Sequence, residues 1–309
     1  MSVIYICNVG NRDLQCDGEV LHQPRSEGLK ILECYDDYRD RLSLPIIRPA
    51  IEYILRQQER VDLVVLYVTD QPEDVEAKYR QRDTVYAGKV IKRLLHELPE
   101  QPVKSVLPRH IRDFNPTLYD ETYEFYDREM RELKQRAKDL EVCYVSPVGG
   151  IPAMNTALLF QAIHHLEARC CPLYVSPDGQ VTPLDIGRQV LTARLIRLVQ
   201  GRLRHHDFAQ AAILLEQLDG DPRAIALARY AQHRLYFDFE QARNALDPAL
   251  QQARREERRF YQRMCANLDG LEEQRQEALI RELYFNARVT YRNQRYVDFL
   301  GRMFRFLEA

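Results

Sequence analysis

Short apolar runs alternate with amphipathic stretches from the N-terminus to about residue 185, and after Gly187 the short runs vanish. That alternation constrains the chain more than any other feature. Strand-like runs lie at Val3 to Cys7, Leu63 to Val68, Val103 to Leu107, Val142 to Val145 and Cys171 to Val175. Helical spacing separates them. Pro45 to Arg60 carries Ile46, Ile47, Ala50, Ile51, Ile54 and Leu55, and Thr84 to Leu98 carries Val85, Val90, Ile91, Leu94 and Leu95. Tyr119 to Leu140 is long and charged, as a surface helix is, while Pro152 to Leu166 is the most apolar and is expected to pack deepest. Strands and helices in this order build a doubly wound parallel sheet of the α/β class. The stretch Leu14 to Leu42 is too long and too charged for a simple strand-to-helix loop, and reads as a small hairpin or a lid.

Beyond Gly187 an all-α region is expected, rich in Arg, Gln, Leu and Ala. Asp207-Phe208-Ala209-Gln210-Ala211 recurs 31 residues later as Asp238-Phe239-Glu240-Gln241-Ala242. That period fits stacked helical hairpins of the tetratricopeptide kind, and an ordinary helical bundle accounts for it equally. A length of 309 residues suits two domains, which we place at residues 1–186 and 187–309. The run from Tyr296 to Ala309 stays amphipathic and meets no Gly, Asn or Pro to stop it, so a longer, truncated protein is expected.

Charge and cysteine usage narrow the function classes. A formal net charge of −2 excludes coating of nucleic acid through bulk basicity, so any bound phosphate needs a local site. Seven cysteines are scattered without a C-x-x-C pair, which argues against a zinc site and fits a reducing compartment. No basic leader precedes the first apolar run, and no apolar stretch reaches the roughly 20 residues that span a bilayer. A cytoplasmic protein without a membrane partner is expected.

In an open parallel sheet, ligands bind outside the carboxyl ends of the strands. Three strand ends here carry unusual sequences. Asn8-Val9-Gly10-Asn11-Arg12-Asp13 follows the first strand. Gly10 permits a tight turn, and Asn11 and Arg12 offer amide and guanidinium donors to a phosphate or a base edge; a plain turn capped by Asn and Asp is the structural alternative. Thr69-Asp70-Gln71 follows the second strand, with Arg82-Asp83-Thr84 entering the next helix. Asp83 or Thr84 is a natural N-cap, while a binding reading gives Gln71 a base-edge contact and Thr84 a wall position. Ser146-Pro147-Val148-Gly149-Gly150-Ile151-Pro152-Ala153-Met154-Asn155 is the most informative segment. Its glycines leave backbone N–H groups open, and Pro152 suits a first helical turn, so a helix N-terminus faces the strand end as an anion site. The glycine spacing is neither the dinucleotide fingerprint nor a P-loop.

Together these segments resemble the CRISPR-associated Rossmann-fold (CARF) effectors of type III CRISPR systems. The resemblance rests on Val9 to Asp13, on Thr69-Asp70-Gln71 with Asp83-Thr84, and on Gly149 to Asn155, in matching order and placement. Tyr174 to Pro177 and Val181 to Leu184, read as a terminal hairpin, are similar too, so coverage is about residues 1–190. It implies a CARF/Rossmann-like domain that pairs as a homodimer and binds a cyclic oligoadenylate, with cyclic tetra-adenylate the first candidate. A ring of identical adenylates has rotational symmetry, which an isologous two-fold interface matches. On this view the ligand site comprises Val9, Gly10, Asn11, Arg12, Thr69, Gln71, Asp83, Thr84, Ser146, Val148, Gly149, Gly150, Ile151, Pro152, Ala153 and Asn155. The amides of Gly149 to Ala153 would hold phosphate, and Asn11 and Gln71 would read ribose or adenine edges. No cofactor is expected; the cyclic oligoadenylate is the activating ligand.

The helical half is similar to the linker and the beginning of the effector region of that family, with Asn286 to Arg288 and Arg302 to Glu308 matching its helical core. Many members end in a HEPN ribonuclease that cuts single-stranded RNA under allosteric control, its signature an Arg followed after four to six residues by His. Here the pattern departs: Arg202 to His206 and Arg229 to His233 have three intervening residues, and no other pair fits. Catalysis then lies beyond Ala309, or the effector is of another kind. A non-catalytic regulator or scaffold is the competing reading, and cleavage of the ligand by the sensor, aligned by Asn11, Arg12 and the glycine loop, is a lesser one.

Other constellations read as structural. Glu76-Ala77-Lys78 has the spacing of a nuclease motif but no strand before it, so a solvated loop is expected. His164-His165 lacks a partner metal ligand in sequence, His205-His206 reads as a solvated turn, and Tyr119, Tyr123 and Tyr126 read as packing residues at helical spacing, or as a base-stacking platform if their helix faces a dimer cleft.

Overall fold

Val3, Tyr5 and Cys7 alternate with Ile4 and Ile6 along the first strand, and this period of two distributes them to opposite faces of a sheet. Both faces are covered, which is why the run from Val3 to Cys7 carries no charged or amide side chain before Asn8. The computed structural model describes residues 2–308. The chain divides into two compact units, Met1–Gln189 and Val190–Ala309.

The first unit is a three-layer α/β/α arrangement, as the alternation requires. Its strands are β1 (Ser2–Asn8), β2 (Gln15–Cys16), β3 (Glu19–Val20), β4 (Leu42–Ser43), β5 (Leu63–Thr69), β6 (Val106–Ile111), β7 (Leu140–Ser146), β8 (Cys170–Val175) and β9 (Val181–Pro183). The main sheet runs β6-β5-β1-β7-β8-β9, parallel except for β9, which pairs antiparallel with β8 through a turn at Gly179. Ile4 pairs with Leu63 and Cys143, which places β1 at the centre. The order reverses between β1 and β7, so the topological switch point lies there.

Helices α1 (Pro24–Glu33), α2 (Tyr35–Tyr38), α3 (Ile47–Leu55), α4 (Ala77–Arg80), α5 (Val85–His96), α6 (Tyr119–Arg136) and α7 (Pro152–Leu166) complete the unit. Tyr5, Cys7, Leu66 and Val68 share one core with Ile31 of α1, with Ile47, Ile51 and Ile54 of α3, and with Val90, Ile91 and Leu95 of α5. Ile6, Val65, Tyr67 and Val145 form the other with Tyr126 and Met130 of α6 and Met154, Leu158 and Ala162 of α7.

Two sequence expectations need correction. The third strand is Val106–Ile111 rather than Val103 to Leu107, and Val103 makes only an isolated bridge with Val61. Pro108 ends the apolar pattern at Leu107, but β6 is an edge strand paired only with β5, so a proline without a donor is tolerated there. Leu14 to Leu42 is more than a hairpin or a lid. It contributes to a three-stranded sheet, β3-β2-β4, and carries α1 and α2, with the hairpin turn at Asp17 and Gly18, both at positive φ.

The boundary between units falls inside α8 (Ile186–Arg204). Beyond it lie α9 (Phe208–Gln217), α10 (Pro222–Leu235), α11 (Phe239–Gln252), α12 (Arg255–Glu272), α13 (Gln276–Arg292) and α14 (Tyr296–Glu308), with consecutive helices from α9 onward packed on one another. The 31-residue echo marks two equivalent helix starts: Asp207 accepts the N–H of Gln210, and Asp238 that of Gln241. Five turns close alike, with His206, Asp219, Phe237, Gln274 and Gln294 at positive φ and the next amide returning to the Arg202, Leu215, His233, Gly270 and Thr290 carbonyls. No described helix is long and apolar enough to cross a membrane.

Candidate functional site at the carboxyl ends of the strands

β5, β1 and β7 are neighbours in the sheet, so the three loops singled out in the sequence leave it side by side. The loops after β1 and β7 meet backbone to backbone. A Cβ on Gly149 would stand 2.1 Å from the Asn8 carbonyl oxygen, and one on Gly10 would stand 2.5 Å from the Gly150 nitrogen. Gly150 sits at φ +78°, where an L side chain is strained. Glycine at these positions lets the two loops form one continuous surface across the switch point. Sequence reasoning assigns the glycines to ligand approach; the structure adds that they permit loop-to-loop contact.

That surface exposes Asn11, Arg12 and Pro152, with Gly10, Val148, Gly150, Ile151 and Asn155 partly exposed. Arg12 has no ion-pair partner among the described residues. Helix α7 opens here with Ile151 at its N-cap, no side-chain cap, Pro152 in its first turn and no acidic residue there. Its leading N–H groups therefore carry an uncompensated partial positive charge.

Beneath it lies a buried polar layer. Asn8 is fully buried; its amide donates to Asn155 Oδ1 at 2.8 Å, and its Oδ1 accepts the Tyr126 hydroxyl at 2.5 Å. Asp13 is equally buried and accepts the Gly10 N–H at 2.7 Å, while its Oδ1 has no partner. Burial pushes the Asp13 carboxyl up to about 7, and the Gly10 N–H only partly offsets this. Val9 and Ser146 are buried as well, Val9 donating its N–H to the Tyr67 carbonyl and Ser146 Oγ having no partner.

The third loop is braced differently. Thr69 and Thr84 exchange N–H to Oγ1 bonds at 3.2 and 3.1 Å. Thr84 does stand at the N-cap of α5, but its hydroxyl serves Thr69 rather than the helix. Asp83 Oδ2 accepts both the Gln71 N–H at 2.9 Å and Arg25 Nη1 at 2.8 Å. Asp70 in turn takes Arg25 at 3.0 Å and Arg112 at 2.7 Å. Burial holds the Asp83 carboxyl above its ordinary range despite these donors. Asp83 and Thr84 thus act as supports that fix Gln71, whose Oε1 is buried without a donor.

Sequence reasoning gives the Asn and Asp of the first loop only the capping of a plain turn, which Asp13 does perform on Gly10, gives no role to Arg25 or Asp70, and reads Tyr126 as packing. Asn8 and Asp13 stand inside a motif singled out above, so a polar residue ending an apolar strand is an available signal. Arg25 and Tyr126 reach their partners in the site from 58 and 118 residues away, and no local pattern marks them. Glu76 and Lys78 are exposed, as a solvated face requires, and pair with each other at 2.7 Å, with Lys78 on the short α4. His165, read as lacking a partner metal ligand, pairs with Asp127 of α6 at 2.7 Å. One other expectation changes. His206, read as solvated, is half-buried with an unpartnered Nδ1.

No family model matches this sequence, and none of the curated proteins does. Among solved structures the chain is similar to Csm6 of Enterococcus italicus bound to cyclic hexa-2′-fluoro-hexa-dAMP, with 14% identity and a TM-score of 0.53 over 91% of this chain. It spans 65% of that Csm6 chain. A second match, Can2 of Sulfobacillus thermosulfidooxidans in complex with cyclic tetra-adenylate, has 9% identity and a TM-score of 0.30 over 79% of this chain and 68% of that one, too low to carry an argument. At such identity the first similarity is one of fold alone: a Rossmann-like α/β domain with a mainly parallel sheet, followed by helices.

Proposed function

We propose that the first domain, residues 1–186, is a sensor for a cyclic oligoadenylate, with cyclic tetra-adenylate the first candidate, and that two copies of the chain pair to bind it. One observation carries this reading. The loops that leave β1 and β7 abut across the switch point, one offering exposed Asn11 and Arg12 and the other an uncapped helix N-terminus at Gly149 to Ala153. Such a surface suits a phosphodiester. The Csm6 of similar fold holds a cyclic hexanucleotide analogue, which favours the same ligand class here. Exposed Tyr119 and Tyr123 on α6, with exposed Phe160 on the adjoining α7, offer apolar surface for a second copy.

The helical region would relay binding to an effector. A HEPN-type ribonuclease acting on single-stranded RNA is the favoured output, and the Arg and His of that chemistry are not supplied at their spacing by residues 1–309. Relay requires that the ligand bind two states of the dimer with different free energies. The test is thermal unfolding with cyclic tetra- and hexa-adenylate against NAD and flavin mononucleotide, alongside sedimentation of the free protein. A cyclic oligoadenylate at about 100 times its Kd stabilises by about 2.7 kcal/mol. An equal shift with NAD, or a monomer with and without ligand, overturns the reading.

A further inference from the structure

The helical unit contains a partly open pocket of about 210 Å³ whose wall includes His206, Asn286, Asn293, Arg295 and Arg302. Its polarity is lopsided. Arg302 is half-buried, yet its guanidinium donates only to neutral acceptors: Asn286 Oδ1 at 2.5 Å, the Asp298 carbonyl at 3.2 Å and the Leu235 carbonyl at 3.5 Å. The nearby carboxylates are engaged elsewhere. Asp207 caps α9 and pairs with Arg202, Asp298 pairs with Arg295, and Glu282 pairs with Arg234. His206 Nδ1 is buried with no partner. The Asn293 side chain has no hydrogen bond among the described residues.

A half-buried guanidinium that makes no ion pair is costly unless a counter-charge arrives. Burial lowers the Arg302 pKa, against the opposing pull of the Asp298 carboxylate and with Arg295 adding to the fall; burial also lowers that of His206, with Arg292 and His205 contributing. Asp207 also lines the pocket, but its carboxylate is taken up by the Gln210 N–H and by Arg202. Phe208, whose ring stands edge-on to His206 at 5.9 Å, adds an apolar wall.

We infer that this cavity is a second ligand site, distinct from the strand ends, which takes a phosphate group against Arg302, His206 and Asn293. Guanidinium, imidazole and amide donors converge there with an aromatic wall, as a small phosphate monoester requires. The same chemistry is carried by a free mononucleotide or by the terminal phosphate of an RNA strand.

The test uses the full chain and follows the His206 imidazole resonance, assigned with His206→Gln, while inorganic phosphate, adenosine 5′-monophosphate or 5′-phosphorylated oligoadenylate is added. A saturable shift with phosphate is expected, weakened about tenfold or more by Arg302→Gln. Asn293→Asp, which brings a carboxylate to the wall without removing a described hydrogen bond, should abolish it and guards against misfolding of the first variant. Arg12→Gln, at the strand ends, should leave it unchanged. Stronger binding of the mononucleotide than the strand assigns the free source, and the reverse assigns the strand end. No saturable shift in the unaltered chain, or one that survives both Arg302→Gln and Asn293→Asp, overturns the inference.

Discussion

Gly149 lies so close to Asn8 that an added Cβ would stand 2.1 Å from the Asn8 carbonyl oxygen and 2.5 Å from Asp13 Oδ2. Backbone meets backbone, so no rotamer can relieve the clash. The loop before α7 rests on the end of β1, and its glycine is required by packing whatever binds above.

Gly149→Ala should therefore destabilise the first unit by about 1–3 kcal/mol, the range of overpacked sites, and lower its melting temperature by several degrees. Gly301→Ala is the contrast, because nothing stands within 4 Å of that position in α14. There the substitution should stabilise the helix by about 0.5–1 kcal/mol. Calorimetry of the two variants checks both signs.

Asp13 makes stability depend on pH in an unusual direction. Its folded pKa of about 7 lies above the unfolded value, so the folded state retains a proton that the unfolded state has released. The contribution is complete below about pH 4, declines as pH rises towards 7 and is flat above, with a span of about 4 kcal/mol. Asp13→Asn removes this slope. Denaturant unfolding between pH 4 and 8 should show the gap between unaltered protein and variant changing over that window alone, in favour of the variant as pH rises.

Arg12 is exposed and carries no ion pair among the described residues, so its removal should spare the fold. Arg12→Gln should weaken cyclic tetra-adenylate binding by about 1.5–3 kcal/mol, or roughly 10- to 150-fold, with an unchanged melting temperature in the absence of ligand. Titration calorimetry at fixed salt measures it. Unchanged affinity would remove Arg12 from the site.

Arg25 reaches from α1 to the carboxylate that holds the Gln71 amide. Arg25→Ala leaves Asp83, only 2% exposed, without its guanidinium and should cost about 1–3 kcal/mol. Faster hydrogen exchange at the Gln71 amide is the local signature, and it should exceed the change at amides in β1.

The sheet is legible in the sequence because its strands are bracketed by helices of clear period. Val3 to Cys7 alternates towards two cores, and Leu63 to Val68 does the same, so both strands can be placed within a residue or two of their ends. Pro108 misleads because edge position is a property of the folded sheet, not of local sequence. Asp17-Gly18 does signal a turn, but strands of two residues carry no period to detect. At the strand ends the glycines, Asn11 and Arg12 are readable as motifs. The Arg25, Asp70 and Asp83 network is not, since its members are brought together only by folding.

Both ends of the Asn8 side chain are committed, one to a tyrosine on α6 and one to the first turn of α7. Those two helices cover the same face of the sheet. A displacement at the start of α7 must either break these short bonds in a buried layer or carry α6 with it. If the bonds hold, a motion begun at the loop would become sliding of a whole helical layer, with the aromatic rings on its outer side carried as one body.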